Sequence, residues 1–155
     1  MGVEIERKFL IANEHWRDVV ESSQLMRQGY IIGSDKASVR VRVSGESANL
    51  NIKSAQLGVY RKEYEIPLDL ADANEMLDNL CQSPLIEKTR HYIHFSNHLW
   101  EVDEFHGDNH GLLVAEIELS DVEEAFDKPD WVGQEVSEDV RYYNVSLVKH
   151  PFKDW

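Results

Sequence analysis

Seven segments of this chain alternate polar and apolar residues at a period of two, the spacing of a strand with one face buried and the other wet. The clearest is Val39-Arg40-Val41-Arg42-Val43, which sets three valines against two guanidiniums. Leu50-Asn51-Ile52-Lys53 follows the same rule. Tyr60-Arg61-Lys62-Glu63-Tyr64-Glu65-Ile66 puts Arg61, Glu63 and Glu65 on one side, and Glu87-Lys88-Thr89-Arg90-His91-Tyr92 aligns Lys88 with Arg90. Trp100-Glu101-Val102-Asp103 and Val114-Ala115-Glu116-Ile117-Glu118-Leu119 add two acidic faces. Glu4-Ile5-Glu6-Arg7-Lys8-Phe9-Leu10 stacks Glu4, Glu6 and Lys8 opposite Val3, Ile5 and Phe9. Near the C-terminus, Asp139 and Arg141 would align if Asp139-Val140-Arg141-Tyr142-Tyr143-Asn144 is extended.

One charged face is ordinary on a half-solvated sheet. Seven in succession make sense if the sheet closes and the charged faces converge on one lumen, cations opposite carboxylates. Small barrels fill their interior with packed side chains, so a charged interior implies a tunnel filled by water or ligand. The expected fold is α+β: a closed antiparallel barrel with a charged interior and helices packed outside over the apolar strand faces. Apolar spacing predicts helices over Asn13–Ser23, with Asn13 as cap before Trp16, Val19 and Val20, and over Asp69–Cys81, where Leu70, Ala73, Met76, Leu77 and Leu80 align. Shorter helices are expected at Asp121–Phe126 and at Asn144–Lys149, before Pro151. No Gly/Ser-rich or Pro-rich linker and no repeat divides residues 1–155, which read as a single domain.

Charge narrows the function. With 29 acidic and 16 basic residues the net charge is −13, the reverse of a nucleic-acid surface. The basic residues nevertheless cluster on the strand faces, an arrangement that concentrates positive potential in the lumen and suits a small polyanion. No apolar run is long enough to span a membrane, and the first residues are charged where a signal peptide needs an apolar core, so a cytoplasmic location is expected. Cys81, the single cysteine, falls in the helical pattern and reads as core. His106-Gly107-Asp108-Asn109-His110 reads as a turn rather than a zinc site, and His91, His94 and His98 lack ligand spacing.

Two carboxylates and an ammonium on one strand face suit a divalent metal and a phosphate, because hard cations prefer carboxylate oxygen and ammonium pairs with phosphate. Glu4-Ile5-Glu6-Arg7-Lys8 resembles the Glu-x-Glu-x-Lys signature that opens the CYTH family, the triphosphate tunnel metalloenzymes. The resemblance runs from Val3 to about Leu147. It is carried also by Arg27-Gln28-Gly29-Tyr30, Val39-Arg40-Val41-Arg42, Ile52-Lys53, Arg61-Lys62-Glu63-Tyr64-Glu65, Glu87-Lys88-Thr89-Arg90, Glu101-Val102-Asp103, Glu116-Ile117-Glu118 and Asp139-Val140-Arg141-Tyr142-Tyr143-Asn144. The chain looks most like the short bacterial members that hydrolyse inorganic triphosphate.

The resemblance implies a tunnel of eight antiparallel strands and two divalent ions, Mg²⁺ or Mn²⁺. Glu4, Glu6 and Glu118 would hold one ion, and Glu63, Asp103 and Glu116 the other, with Glu65 an alternative to Glu63 and with Glu101 in a mixed role. Lys8, Arg40, Arg42, Lys53, Lys88, Arg90 and Arg141 would bind phosphate, while Arg61 could pair with a carboxylate instead. Tyr30, Lys88 and Glu63 would act at the reacting phosphate. The implied activity is hydrolysis of inorganic triphosphate to diphosphate and phosphate, in a protein that could be a homodimer. Thiamine triphosphatase, CYTH-type adenylate cyclase and a non-catalytic polyphosphate- or nucleotide-binding module are the alternatives; the presence of both Glu-x-Glu pairs favours an enzyme. Where many family members carry a Tyr-x-Asp-Thr-like segment, this chain continues from Tyr30 with Ile31-Ile32-Gly33-Ser34.

Overall fold

In the computed structural model, which describes residues 2–155, strands follow one another around a charged hollow. They are β1 (Glu4–Ile11), β2 (Ser22–Gly33), β3 (Ala37–Ser44), β4 (Ser47–Ser54), β5 (Tyr60–Arg61), β6 (Glu63–Pro67), β7 (Ile86–Phe95), β8 (His98–Phe105), β9 (Leu113–Glu118) and β10 (Val132–Glu135). Two α-helices, α1 (Leu70–Asn79) and α2 (Asn144–Lys149), complete the regular structure together with short 3-10 turns. All pairings are antiparallel, in the order β10-β1-β9-β8-β7-β2-β3-β4-β6, and β5 returns to β1 with Glu4 opposite Arg61 and Ile5 opposite Tyr60. Because β5 and β6 are one strand interrupted at Lys62, this short pairing closes a ring of eight staves. Two backbone bonds reinforce the seam, Glu6 N–H to the Val59 carbonyl at 2.9 Å and Glu63 N–H to the Gly2 carbonyl at 3.1 Å. β10 joins β1 outside the ring, past a bulge between Phe9 and Ile11.

The period-two pattern sorts side chains as expected. Val41, Trp100, Val102, Ala115 and Ile117 point outward and are fully buried under an external layer. Over β1, β7, β8 and β9 that layer is built from Trp16, Trp131 and Phe126. Over β3 it is α1, which lays Ala73 and Leu77 on Val41 and Val43 and is capped by Asp69, whose carboxylate accepts the Ala71 N–H at 2.8 Å. Gly29 of β2 lies so close to the segment after α1 that a Cβ would stand 2.7 Å from the Cys81 Cβ, which leaves Cys81 a packing role.

The expected elements need correction in three places. Asn13–Ser23 makes only a 3-10 turn, His15–Val19, in which Trp16 alone is buried; Val19 faces solvent, so no apolar stripe exists to carry a helix, and β2 already starts at Ser22. Asp121–Phe126 is a turn, with the Asp121 carboxylate accepting the Glu123 N–H at 2.8 Å. Asp139–Asn144 is not a stave: Asp139 caps a 3-10 helix at Val140–Tyr142.

The helix at Asn144–Lys149 forms, but not outside the barrel. Its Leu147 and Val148 pack with Tyr30, Ile86, Phe105 and Val114. Strand alternation puts Ile86 on the face of Lys88, Phe105 on that of Asp103 and Val114 on that of Glu116. α2 is therefore an apolar plug in one end of the barrel, and the charged part of the lumen begins where the plug ends. No helix among the described residues is long and apolar enough to cross a membrane.

Candidate active site

The hollow encloses a cavity of about 200 Å³, lined from all eight staves and, at the plugged end, by Tyr143, Asn144 and Val145. Seven carboxylates line it (Glu4, Glu6, Glu63, Glu65, Glu101, Glu116, Glu118), facing seven cations (Lys8, Arg40, Arg42, Lys53, Arg61, Lys88, Arg90). The wall is thus close to neutral as a whole, yet its charges are unevenly paired.

Cross-strand register explains the pairing. Lys8 stands opposite Glu116, and Glu116 opposite Glu101, so β1, β9 and β8 bring an ammonium and two carboxylates into one row. Lys8 donates to Glu116 and, at 3.3 Å, to Glu6. Glu6, Glu101 and Glu116 each offer an oxygen, and the three oxygens lie within 4.8 Å of one another. Burial, then the Glu116 carboxylate, pushes the Glu6 carboxyl up to about 7. Burial would also raise Glu4, but Lys53 at 2.9 Å and Arg61 at 3.0 Å outweigh it and bring Glu4 down to about 2. Glu118 is raised by burial and then by the charges of Glu4, Glu63 and Glu101; the carboxylates that gather within reach of one ion are Glu6, Glu101 and Glu116. Three close carboxylates are a hard-oxygen donor set, the kind that suits Mg²⁺ or Mn²⁺.

On the opposite wall, the Lys88 ammonium donates to Asp103 at 2.7 Å and to the Asn144 side-chain carbonyl at 2.9 Å. Burial pulls its pKa down to about 7, against the opposing pull of Asp103. Arg90 binds Asp103 through two parallel bonds and Glu116 at 2.8 Å. Arg40 and Arg42 differ from all of these: among the described residues no carboxylate reaches either guanidinium. Arg42 donates only its Nε, to the Gln28 carbonyl at 2.9 Å, and burial followed by the charges of Arg40 and Arg90 lowers it to about 9. A buried and a half-buried guanidinium, with no counter-ion among the described residues, mark a seat for an anion.

Most of the residues singled out in the sequence meet in this cavity: Glu4, Glu6, Glu63, Glu116 and Glu118 among the carboxylates, Lys8, Arg40, Arg42, Lys53, Lys88 and Arg90 among the cations, and Tyr30. Two do not. Asp103 lies behind the wall, 1 % exposed, both oxygens taken by Lys88 and Arg90, so it is a strut rather than a free donor. Arg141 lies outside the barrel, held at 2.8 Å by Asp139 and stacked near Trp155, because its segment turns into a 3-10 helix instead of a strand. The carboxylates also group differently from the expected sets: Glu101 lies beside Glu6 and Glu116. Tyr30 and Lys88 share the cavity without a hydrogen bond between them. Gln28, Asn51 and Asn144 also belong to this site, and as uncharged amides they leave no trace in a charge pattern: Gln28 and Asn51 are buried, and Asn51 and Asn144 line the cavity.

A closed barrel whose lumen opposes cations to carboxylates, with no carboxylate on Arg40 or Arg42 among the described residues, places the chain in the class of charged-lumen barrels. The chain is a member of the CYTH domain family, whose model matches residues 2–152. It is 46% identical over 155 residues to an inorganic triphosphatase of Acetivibrio thermocellus, covering 100% of this chain and 99% of the relative. An inorganic triphosphatase of Nitrosomonas europaea is 37% identical over 148 residues, 93% of this chain and 95% of the relative. The crystal structure of the inorganic triphosphatase NE1496 superposes with a TM-score of 0.67 at 35% identity, covering 94% of this chain and 97% of that one.

Proposed function

We propose that this chain acts as one domain, 1–155, that hydrolyses inorganic triphosphate to diphosphate and phosphate with the help of bound Mg²⁺ or Mn²⁺. The observation that carries the reading is the pair of guanidiniums, Arg40 and Arg42, that no carboxylate reaches among the described residues, in a lumen whose other cations already face carboxylates. The two relatives named inorganic triphosphatase support the choice of substrate.

The charge balance supports a metal. Seven cations and seven carboxylates line the cavity, so a triphosphate with about four negative charges near neutral pH would be poorly matched unless it arrives with divalent cations. Glu6, Glu101 and Glu116 would hold one ion; Glu4, Glu63 and Glu118 are the carboxylates available to a second. Bound there, a divalent ion supplies charge neutralisation and acidifies a coordinated water.

The protein's own side chains do the remaining work. Arg40 and Arg42 fork onto phosphate oxygens, Arg90, whose fork is taken by Asp103, adds its charge at the wall, and Lys8, Lys53 and Lys88 act as point charges. Two of the three Lys88 N–H donors are committed to Asp103 and Asn144, so the third is free for a phosphate oxygen. The Tyr30 hydroxyl, at the same wall, orients the reacting phosphate. Water attacks a terminal phosphorus in line, the bridging P–O bond breaks, and the cations stabilise the departing diphosphate. α2 fills one end of the barrel, so substrate would enter from the other.

The test is phosphate release from inorganic triphosphate, ATP and thiamine triphosphate, each with Mg²⁺, with Mn²⁺ and with chelator, for wild type, Glu4→Gln and Glu116→Gln. Metal-dependent turnover of inorganic triphosphate that both variants lose supports the reading. Tight binding without turnover makes the chain a polyphosphate-binding module, and neither binding nor turnover removes the assignment.

A further inference from the structure

We propose that Asn144 is a positioning residue for two phosphate-facing cations at once, holding the Lys88 ammonium directly and the Arg42 guanidinium through the amide of Gln28. This deepens the triphosphate reading and rests on it for the nature of the anion. A continuous chain of hydrogen bonds carries the inference. The Asn144 Oδ1 accepts from Lys88 Nζ at 2.9 Å and from Gln28 Nε2 at 2.9 Å, and Gln28 Oε1 accepts from Arg42 Nε at 2.9 Å.

Donor and acceptor chemistry fixes the direction of every link. Arg42 can only donate, so Gln28 must turn its carbonyl toward Arg42 and its NH₂ toward Asn144; Lys88 can only donate, so Asn144 must meet both neighbours with its carbonyl. Both amides are locked in one orientation by charged donors at the two ends. Gln28 is fully buried, with no access to water to replace either bond.

The consequence is a defined set of free donors. Lys88 keeps one N–H beyond those given to Asp103 and Asn144, and Arg42 keeps both Nη groups, which have no partner among the described residues. All three side chains that carry or receive these bonds at the wall, Arg42, Lys88 and Asn144, line the cavity. Asn144 is itself fixed by its neighbours. Tyr143 donates its hydroxyl to the Ser137 carbonyl at 2.8 Å and accepts the Gly58 N–H at 3.0 Å, while Leu147 and Val148 anchor α2 in the apolar end of the barrel. Cations on β3 and β7, supplied by distant parts of the chain, thus take their aim from the C-terminal plug.

The test is a double-mutant cycle of Asn144→Ala and Gln28→Ala, read by kcat and KM for inorganic triphosphate with Mn²⁺, by calorimetric binding of inorganic triphosphate without metal, and by thermal unfolding. Asn144→Ser, which keeps an oxygen acceptor, is the conservative variant. Misaimed cations typically cost up to about 100-fold in rate, so Asn144→Ala is expected to lower kcat about 10- to 100-fold. Gln28→Ala should add less than about twofold on top of it, and Asn144→Ser should recover part of the loss. Strictly multiplicative effects of the two alanines, or a fall in melting temperature with unchanged kcat and binding, would overturn the bridge. If wild type binds inorganic triphosphate but does not turn it over, the hydrolase reading fails while the binding arm still decides the bridge. If wild type does neither, both fall.

Discussion

Arg90 and Asp103 meet as a two-pronged pair behind the cavity wall, Nε to Oδ1 at 2.8 Å and Nη2 to Oδ2 at 2.9 Å. Lys88 takes up the remaining reach of the same carboxylate at 2.7 Å. A carboxylate so occupied aims two phosphate-binding cations and has little left for a metal. Replacing it leaves Lys88 without a carboxylate and Arg90 with only Glu116 and Glu101, in a buried site. Asp103→Asn should therefore cost about 3–5 kcal/mol of stability, the range for breaking one side of a buried ion pair, while the folded variant binds Mn²⁺ about as well as wild type. Urea unfolding of chelator-treated protein and a Mn²⁺ titration check the two halves. Normal stability with lost Mn²⁺ affinity would make Asp103 a ligand after all.

Arg40 and Arg42 predict the opposite profile. Among the described residues no carboxylate offsets either cation, so the protein bears the cost of desolvating them and a bound anion relieves it. Arg40→Ala and Arg42→Ala should leave the unfolding midpoint unchanged or raise it, and should weaken binding of inorganic triphosphate. A hydrogen bond to a charged group is worth about 1.5–3 kcal/mol, so each variant should lose roughly 10- to 100-fold in affinity. Equilibrium binding by calorimetry decides it, and unaltered affinity would move the anion elsewhere in the lumen.

How much of this was visible in the chain itself can be judged residue by residue. Val39 to Val43 announced both its faces because a single β-branched side carries the outer core and a single charged side the lumen. β2 announced neither: its inward Met26, Gln28 and Tyr30 are uncharged, and its outward face includes Gly29, selected for contact with Cys81. The site's charged residues were legible one strand at a time. Their grouping was not, since it depends on register: Glu101 joins Glu6 and Glu116 only because β8, β9 and β1 are adjacent staves. Arg141 misled for a local reason. Asp139 is a better helix cap than a strand partner, and it draws the arginine out to the surface.

The Glu6 carboxyl makes stability depend on pH in a direction set by its raised pKa. From an ordinary value of 4.5 it rises to about 7, because burial and the Glu116 carboxylate penalise its charge. Between those values the folded protein holds a proton that the unfolded chain has lost, so Glu6's contribution to stability falls as pH rises through this window. Glu6→Gln removes the charge without changing the shape. In chelator-treated protein the variant should be more stable than wild type at pH 8, by up to roughly 3 kcal/mol from the size of the shift. The advantage should shrink as pH falls from 7 toward 4.5 and vanish below it. Denaturant midpoints of both proteins across pH 4–8 check the sign, and a variant less stable than wild type at pH 8 would contradict it.

Leu147 tests whether the plug is part of the scaffold or an accessory to it. Its side chain is fully buried among Ile86, Phe105 and Val114, residues whose strand faces continue into the charged lumen. Leu147→Ala leaves a void that rigid strands cannot collapse around, and such truncations cost about 2–5 kcal/mol. Leu80, 60% exposed after α1, supplies the control: Leu80→Ala should change stability by no more than about 0.5 kcal/mol. The two losses differ in their functional echo as well. Because α2 also carries Asn144, loosening Leu147 should lower kcat for inorganic triphosphate in protein that is still folded, whereas Leu80→Ala should not. Unfolding curves and kinetics on the same preparations compare them directly. A Leu147→Ala protein with reduced stability and wild-type kcat would mean that the plug holds the barrel together without aiming its cations.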